Sequence, residues 1–334
     1  MDKFELVVSN DDDGKRLDVF LVCFFSDNHE LKNFCSRSKI QALIRDGSVL
    51  VNEKQVKPSF ILSLNDKIKI YVDNLPILDQ DIITPYEFSV DIIYEDNDLL
   101  VVNKPKGLSV HPGAGNKNKT LLNAIINKIS FSDGSNLSID PLRVGIVHRI
   151  DKDTTGLLVV AKNEFAMTNL MKQFKEHSVD RKYVALVLST PRGDREVNKE
   201  EEGIVDTYIG RHLTNRKKMT VLREGEGKRA ITHYKKLEEY PYGCLMEFKL
   251  ETGRTHQIRV HMEYINSPII GDKLYGDFSL LPKELKVAAQ KLGRQALHAK
   301  TLAFTHPVTG KRLSFDSEIP DDMKEIIKIF KNKK

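Results

Sequence analysis

Cysteine is scarce in this chain. Cys23, Cys35 and Cys244 cannot complete a disulfide framework, and no C-x-x-C spacing occurs, so the sequence points to a reducing compartment without a structural zinc. The N-terminus, MDKFELVVSNDDDGK, lacks the apolar core of a secretory signal, and no apolar run approaches the roughly 20 residues that span a bilayer. A cytoplasmic protein without a membrane role is expected. A large net charge is missing too: 52 Lys+Arg against 47 Asp+Glu leaves +5, which alone does not argue for a polyanionic partner. There is no internal repeat and no extended low-complexity tract. Two ligand motifs fall short. GAGNKNKT, Gly113 to Thr120, has Asn118 where a phosphate-binding P-loop needs its second glycine, which argues against a nucleotide cofactor and leaves a turn-rich loop at the rim of a site. His256 and His261 are five residues apart, about 140° around a helix, unlike the i, i+4 pair that grips zinc, so no metal is expected.

What is present is a chain of 334 residues, 40% hydrophobic and 30% charged, enough for one large or two unequal folded domains. Its charge is unevenly spread: residues 1–30 hold eight acids and three bases, 32–70 eight bases and three acids, and 211–236 nine bases and two acids. Each basic stretch reads either as solvated charge or as a phosphate-tracking surface.

Between Ser36 and Gly47, Ile40, Leu43 and Ile44 keep helical spacing, with serine available to cap and glycine to stop, while Arg37, Gln41 and Arg45 share another face. SVLVNEKQVKPS follows as strand, turn, strand, and LNDKIKIYV closes a small α/β module displaying positive charge. Residues 1–73 form this module, with its core at about 14–72, and the proline-containing, aperiodic 74–88 suits a linker. Beyond it DIIYEDNDLLVVNKP reads as a hairpin around Asp96–Asp98, and RVGIVHRI, TGLLVVAK, RKYVALVL and GCLMEFKLE read as strands. A helix over 164–176 buries Phe165, Leu170, Met171 and Phe174. The pattern predicts an α+β fold, a predominantly antiparallel mixed sheet over 89–320, and a basic, helical C-terminal tail over 321–334.

The stretch VHRIDKDTTGLLVVAK places an imidazole, a guanidinium and a carboxylate between two apolar runs. If 145–151 is strand, Asp151 stands at its end beside a cleft, with Arg149 projecting to the same side. Asp151 reads equally as a turn residue capping an amide, and for Asp153 that reading is preferred. A partly buried carboxylate needs a cation. ETGRTHQIRVHMEYIN supplies Arg254 and Arg259, the latter in an early turn of a helix that Thr255 caps and Ile258, Met262 and Ile265 anchor. Tyr183 suits strand core as well as a stacking ring.

HRIDKDTTGLLVVAK resembles the H-R-L-D-x-x-T-S-G signature of the pseudouridine synthases acting on large-subunit ribosomal RNA, the RluA/RluD type. NKPKGLSVHPGAGN, RKYVALV, IGRHLTNRKKMTV, GRTHQIRVHM and LHAKTLAFTHPVTG resemble further motifs of that family in the same order, over roughly residues 88–320. The N-terminal module resembles the S-four-type RNA-binding domain. Ile150, Thr155 and Leu213 depart mildly from the pattern. The resemblance implies isomerisation of uridine to pseudouridine in RNA without a cofactor, by a monomer, with Asp151 as the essential carboxylate, Arg259 as its ion-pair partner and Tyr183 stacked on the uracil. It also places Arg149 at the substrate, holding the nucleotide flipped out; His148, read as support for the loop because the carboxylate alone can carry the isomerisation, and Arg254 and Gln257 are the other residues expected at the substrate. Arg37, Lys39, Arg45 and Lys57 in the first module, with Arg216 and Lys217 in the second basic stretch, are the expected RNA contacts. A synthase acting on transfer RNA, a non-catalytic ribosome-assembly factor, and a retaining glycosidase using Asp151 and Asp153 about 5 Å apart are the alternatives.

Overall fold

The computed structural model describes residues 3–28, 31, 37–71, 83–113, 116–129, 144–188, 201–279 and 281–332. The chain divides into an N-terminal unit ending at Ile83 and a second unit built from Thr84–Phe131 and Gly145–Lys334. Most of the expected linker, and Ser36 as helix cap, lie outside the described residues.

The N-terminal unit runs β1 (Lys3–Val7), α1 (Leu17–Asp27), α2 (Arg37–Asp46), β2 (Val49–Val51) and β3 (Lys67–Tyr71). Its strands form an antiparallel sheet in the order β1-β3-β2. Leu17, Leu21 and Phe25 recur every four residues along α1 and meet Ile40, Leu43 and Ile44 of α2 in one core, as the helical spacing requires. Gly47, in the left-handed region at φ 90°, ends α2. The second strand expected after Val51 does not form. Only a Val51–Lys54 bridge follows, and Pro58 has no N–H to give a ladder.

The second unit carries ten strands among the described residues: β4 (Asp91–Glu95), β5 (Leu99–Lys104), β6 (Thr155–Ala161), β7 (Asp180–Leu188), β8 (Glu202–Arg211), β9 (Met219–Leu222), β10 (Lys228–Tyr240), β11 (Gly243–Leu250), β12 (Leu297–Thr305) and β13 (Arg312–Asp316). They make one sheet in the order β4-β5-β6-β12-β7-β11-β10-β8-β9, with β13 beside β12. The β6–β12 pair is its parallel contact and the other described pairs are antiparallel. The helices are α3 (Leu121–Ile125), α4 (Glu164–Lys175), α5 (Gln257–Tyr264), α6 (Lys283–Leu292) and α7 (Asp321–Lys331). β6 is buried along its whole length, as an unbroken apolar strand at the sheet centre should be, whereas β8 alternates between buried and open positions. At the β6–β12 contact Gly156, at φ 116°, has no room for a side chain, since a Cβ would lie 2.3 Å from the Ala299 carbonyl oxygen.

Three expectations need correction. The strand supposed over 145–151 does not form: Gly145 sits in a turn at φ 73°, and a single bridge joins Ile146 to Val160, so Asp151 ends an arm laid along the sheet. On α4 the buried face is Ala166, Met167, Leu170 and Gln173, while Phe165 and Met171 are exposed, because the helix is rotated by about one residue from the stripe the apolar residues trace. Residues 321–331 are no tail. Met323, Ile326 and Phe330 of α7 enter the main core, with Phe330 stacked on Tyr240 at 5.4 Å.

Candidate active site

Asp151 begins the four-residue turn that feeds β6, and its carbonyl accepts from the Thr154 amide at 3.1 Å. That turn is fixed by buried side chains. The Lys104 Nζ, at the end of β5, donates to the carbonyls of Pro105, Leu108 and Lys152 at 2.7, 2.9 and 2.9 Å. Gln295 donates to the Thr154 hydroxyl at 3.0 Å, and Arg294, itself held by Asp322, reaches the Asp153 carbonyl. Burial pushes Lys104 down to about 7, against the pull of Asp153 and Asp151. In Asp153 it is this carbonyl that is held in the turn, and its carboxylate caps no described amide.

The partner of Asp151 comes from α5. Arg259 Nη1 donates to Asp151 Oδ2 at 2.9 Å, while its Nε and Nη2 grip the two oxygens of Asp272 at 2.6 and 2.9 Å. Asp272 also accepts from the amides of Leu274 and Tyr275, and the guanidinium lies 4.9 Å over the Tyr275 ring. Burial opposes the charge on Arg259, but the hydrogen bonds and charges of Asp272 and Asp151 outweigh it and hold the pKa above its ordinary value. The fork therefore locks the guanidinium on Asp272 and presents one N–H to Asp151. The other Asp151 oxygen has no hydrogen-bond partner among the described residues.

His256, not Thr255, precedes α5, in the left-handed conformation at φ 58° and ψ 20°. This places its Nε2 4.0 Å from Asp151 Oδ2. Tyr275 Oη accepts from the Met219 amide at 2.8 Å and meets His256 Nδ1 at 2.8 Å; in the tautomer in which the tyrosine donates to Nδ1, the imidazole proton sits on Nε2, facing Asp151. Burial lowers the His256 pKa and favours this neutral ring.

Asp151, Arg259 and His256 line a cavity of about 470 Å³, with Arg149, Tyr183, Arg181, Phe174 and Arg254 also on its wall. Tyr183, on β7, is 7% exposed, belongs to the core and also lines the cavity. Burial raises its pKa, keeping the phenol neutral. Gln257 lines the cavity, yet both ends of its amide are engaged, by Thr252 and the Arg254 amide on one side and by Ile231 and Thr232 on the other, so it braces the 252–257 turn. Arg254 donates to the Arg229 carbonyl at 2.9 Å. His148 accepts from the Val159 amide at 3.1 Å, tying the arm to β6.

Other expected residues lie elsewhere. Arg216 and Lys217 are exposed in the β8–β9 connection. Arg45 and Lys57 line a groove of the N-terminal unit, Lys39 is half-buried on α2, and Arg37 is tied to buried Asp18 by two hydrogen bonds of 3.1 and 3.0 Å. The described part of Gly113–Thr120 does not line the cavity; Thr120 caps α3 instead. Asp153 does not line it either, which leaves a glycosidase pair without its second carboxylate. His261 is held by Thr207 and Thr232, so it does not converge with His256 on a metal. Asp96, Asp98 and His306 bring ligand atoms within 4.8 Å of one another, but Asp96 accepts from His306, Tyr94 and two amides and Asp98 from Asn163, which accounts for the group as a hydrogen-bonded turn.

Lys104, Arg181, Asp272 and Tyr275 were not among the residues predicted at the site. Asp272 and Tyr275 stand in IIGDKLYGD, outside every quoted motif, and the one available signal was the need of a buried Arg259 for a second anion.

Comparison with known proteins bears on the same residues. The family model of RNA pseudouridylate synthase matches residues 98–264, and that of the S4 domain matches residues 29–68. The uncharacterized RNA pseudouridine synthase YlyB of Bacillus subtilis is 38% identical over 327 residues, covering 98% of each chain. Ribosomal large subunit pseudouridine synthase D of Vibrio cholerae is 39% identical over 318 residues, covering 94% of this chain and 90% of its own. The solved structure of human RNA pseudouridylate synthase domain containing 4 superposes with a TM-score of 0.54 at 24% identity, over 72% of this chain and 93% of that one, and so shares the fold.

Proposed function

The chain belongs to the RNA pseudouridylate synthase family and carries an S4 domain ahead of the catalytic unit, and from that premise we propose that it isomerises uridines of large-subunit ribosomal RNA, with Asp151 as the essential carboxylate. It is an isomerase. The reaction breaks the glycosidic carbon–nitrogen bond, turns the detached base and rejoins it to the same sugar carbon through a ring carbon. Because the fragments must stay together, a closed pocket and one positioned carboxylate suffice, and neither cofactor nor metal is needed.

The observation that carries this reading is the Asp151–Arg259 pair at 2.9 Å, on the wall of a 470 Å³ cavity that Tyr183 also lines. A nucleotide must leave its stack to reach it, at a cost of a few kcal/mol. Arg149, exposed and two residues before Asp151, helps to hold it out, and Tyr183 offers its ring to the uracil. Whether Asp151 attacks the nucleotide or removes a sugar proton, the group required is an ionised carboxylate with an open oxygen. Arg259 holds the other oxygen and so fixes the orientation of the carboxylate. The N-terminal unit, as an RNA-binding domain over about 1–73, and the catalytic unit from about 89 onward act within one monomer in the cytoplasm, where ribosomal RNA is. Among the described residues, no helix is long and apolar enough to cross a membrane.

Isomerisation displaces the hydrogen on uracil C5, so RNA labelled there with tritium releases the label. Release from large-subunit rRNA is expected. Release from transfer RNA alone would move the substrate, and no release from either would leave a non-catalytic RNA-binding protein.

A further inference from the structure

His148 and Arg181 share an unexplained feature on the side of the cavity formed by α4 and β7. His148 Nε2 accepts from the Val159 amide, so its ring, which burial pushes down to about 3 in pKa, is neutral and carries its proton on Nδ1. That Nδ1 is buried without a hydrogen-bond partner in the protein, and so is the Nε of Arg181. Unpartnered buried donors are uncommon enough that each needs a reason. Both groups gather on one ring: the His148 imidazole stacks on Phe174 at 4.6 Å and 24°, and the Arg181 guanidinium lies 5.4 Å from the same centroid. No carboxylate among the described residues lies within ion-pair distance of Arg181. Gly253 leaves room for its head, since a Cβ there would come within 3.0 Å of Arg181 Nη1.

Arg181 precedes Tyr183 by two residues on β7, so both project from the same face about 6.6 Å apart. All of these residues line the cavity of Asp151. A planar cation and a second N–H, stacked and without an acceptor, match an anionic oxygen ligand, and the spacing from Tyr183 is about that from a nucleobase to a phosphate of its own nucleotide. We propose that Arg181 and His148 form a phosphate subsite that grips the phosphodiester next to the flipped uridine while Tyr183 holds the base.

The inference rests on the RNA-isomerase reading of the cavity, and turnover by the parent enzyme tests that reading separately. The full-length enzyme is assayed on a synthetic RNA that it modifies, with the phosphate on the 5′ or the 3′ side of the target uridine replaced by neutral methylphosphonate. One of the two replacements is expected to raise the parent's KM about tenfold with little change in kcat. Arg181→Gln should show the same rise on unmodified RNA and no further rise on that methylphosphonate RNA. Arg181→Lys, which keeps the charge but not the fork, should fall between. Gly253→Ala, which crowds the guanidinium without removing it, should raise KM on unmodified RNA and leave KM on the methylphosphonate RNA unchanged, giving a second reading if Arg181→Gln folds poorly. A parental KM in both variants, or a methylphosphonate penalty as large in Arg181→Gln as in the parent at both positions, would overturn the proposal.

Discussion

Each unit buries a carboxylate against arginine, and the two networks end differently. In the N-terminal unit Asp18 is fully buried and accepts from Arg16, Arg37 and Gln41, with both oxygens engaged over 2.7 to 3.1 Å. The arginines reach in from the surface. In the catalytic unit the buried group is Arg259, 8% exposed, and it is divided between Asp272, which takes two of its N–H groups, and Asp151, which takes one and keeps an oxygen toward the cavity. A saturated carboxylate fixes chain geometry. One left partly open, beside a cation already held by something else, is free to act on a substrate.

The largest effect expected of any change follows from that open oxygen. Asp151→Ala should reduce pseudouridine formation below detection while changing RNA affinity by no more than about twofold, because a carboxylate contributes nothing favourable to phosphate contacts. Retained turnover in the purified variant would place the chemistry elsewhere.

Removing the saturated partner in each network sharpens the contrast. Asp272→Asn should destabilise by about 3–5 kcal/mol in denaturant unfolding, since it leaves the buried Arg259 without its main anion, and Asp18→Asn by less, about 2–3 kcal/mol, since Arg16 and Arg37 keep water at the surface. At a temperature where both remain folded, Asp272→Asn should lose about 100-fold in kcat because Arg259 no longer fixes Asp151. Asp18→Asn should keep kcat at saturating RNA. Equal losses of kcat would erase the distinction between the networks. Asp18 has a further signature: burial pushes its pKa up, but the hydrogen bonds from Arg16, Gln41 and Arg37 outweigh this and bring it down to about 2. The unfolded chain, with a carboxyl near 3.9, takes up its proton first as pH falls. The stabilisation is therefore complete above about pH 5 and is lost progressively from pH 4 to about 2. Asp18→Asn should flatten that acid limb.

Tyr183→Phe keeps the ring and should stay within a few-fold of the parent in kcat/KM. Tyr183→Leu loses the stacking face, about 1–3 kcal/mol per base or roughly 10- to 100-fold. Equal rates for the two would make the ring packing alone.

The two units also differ in how far the sequence discloses them. That Asp151 and Arg259 meet on a cavity Tyr183 also lines was legible because motifs carry all three, and 108 residues of separation between Asp151 and Arg259 did not matter. Asp272 was not, because nothing local marks an aspartate that answers a guanidinium on a helix 13 residues upstream. The strand expected at 145–151 failed for a related reason: an apolar pattern shows which side chains are covered, not whether a neighbouring strand has a free edge to pair. On α2 the spacing located Ile40, Leu43 and Ile44 in the core correctly. The same spacing could not show that Arg37 turns back onto Asp18, since that depends on where α1 comes to lie.

That last point changes what the N-terminal unit should do when its charges are removed, and the effect expected is the smallest. Arg37→Gln is a stability variant, because Arg37 gives two hydrogen bonds to a buried anion. Arg45 and Lys57 are different. Both are exposed and line the same groove, and the one described hydrogen bond of the Arg45 guanidinium is at 3.4 Å, to Gln41. Replacing these two by glutamine should leave the melting temperature and kcat nearly unchanged, and should weaken binding to long structured rRNA while lowering the slope of log K against log salt by about 1.4 to 1.8, one released counterion for each lost phosphate contact. On a short stem-loop, where the N-terminal unit has no neighbouring helix to grip, the loss should shrink, because the gain it provides on long RNA is an effective concentration at the second site. An unchanged salt slope on long rRNA would mean that these cations face water alone, and that the groove of the N-terminal unit does not track phosphates.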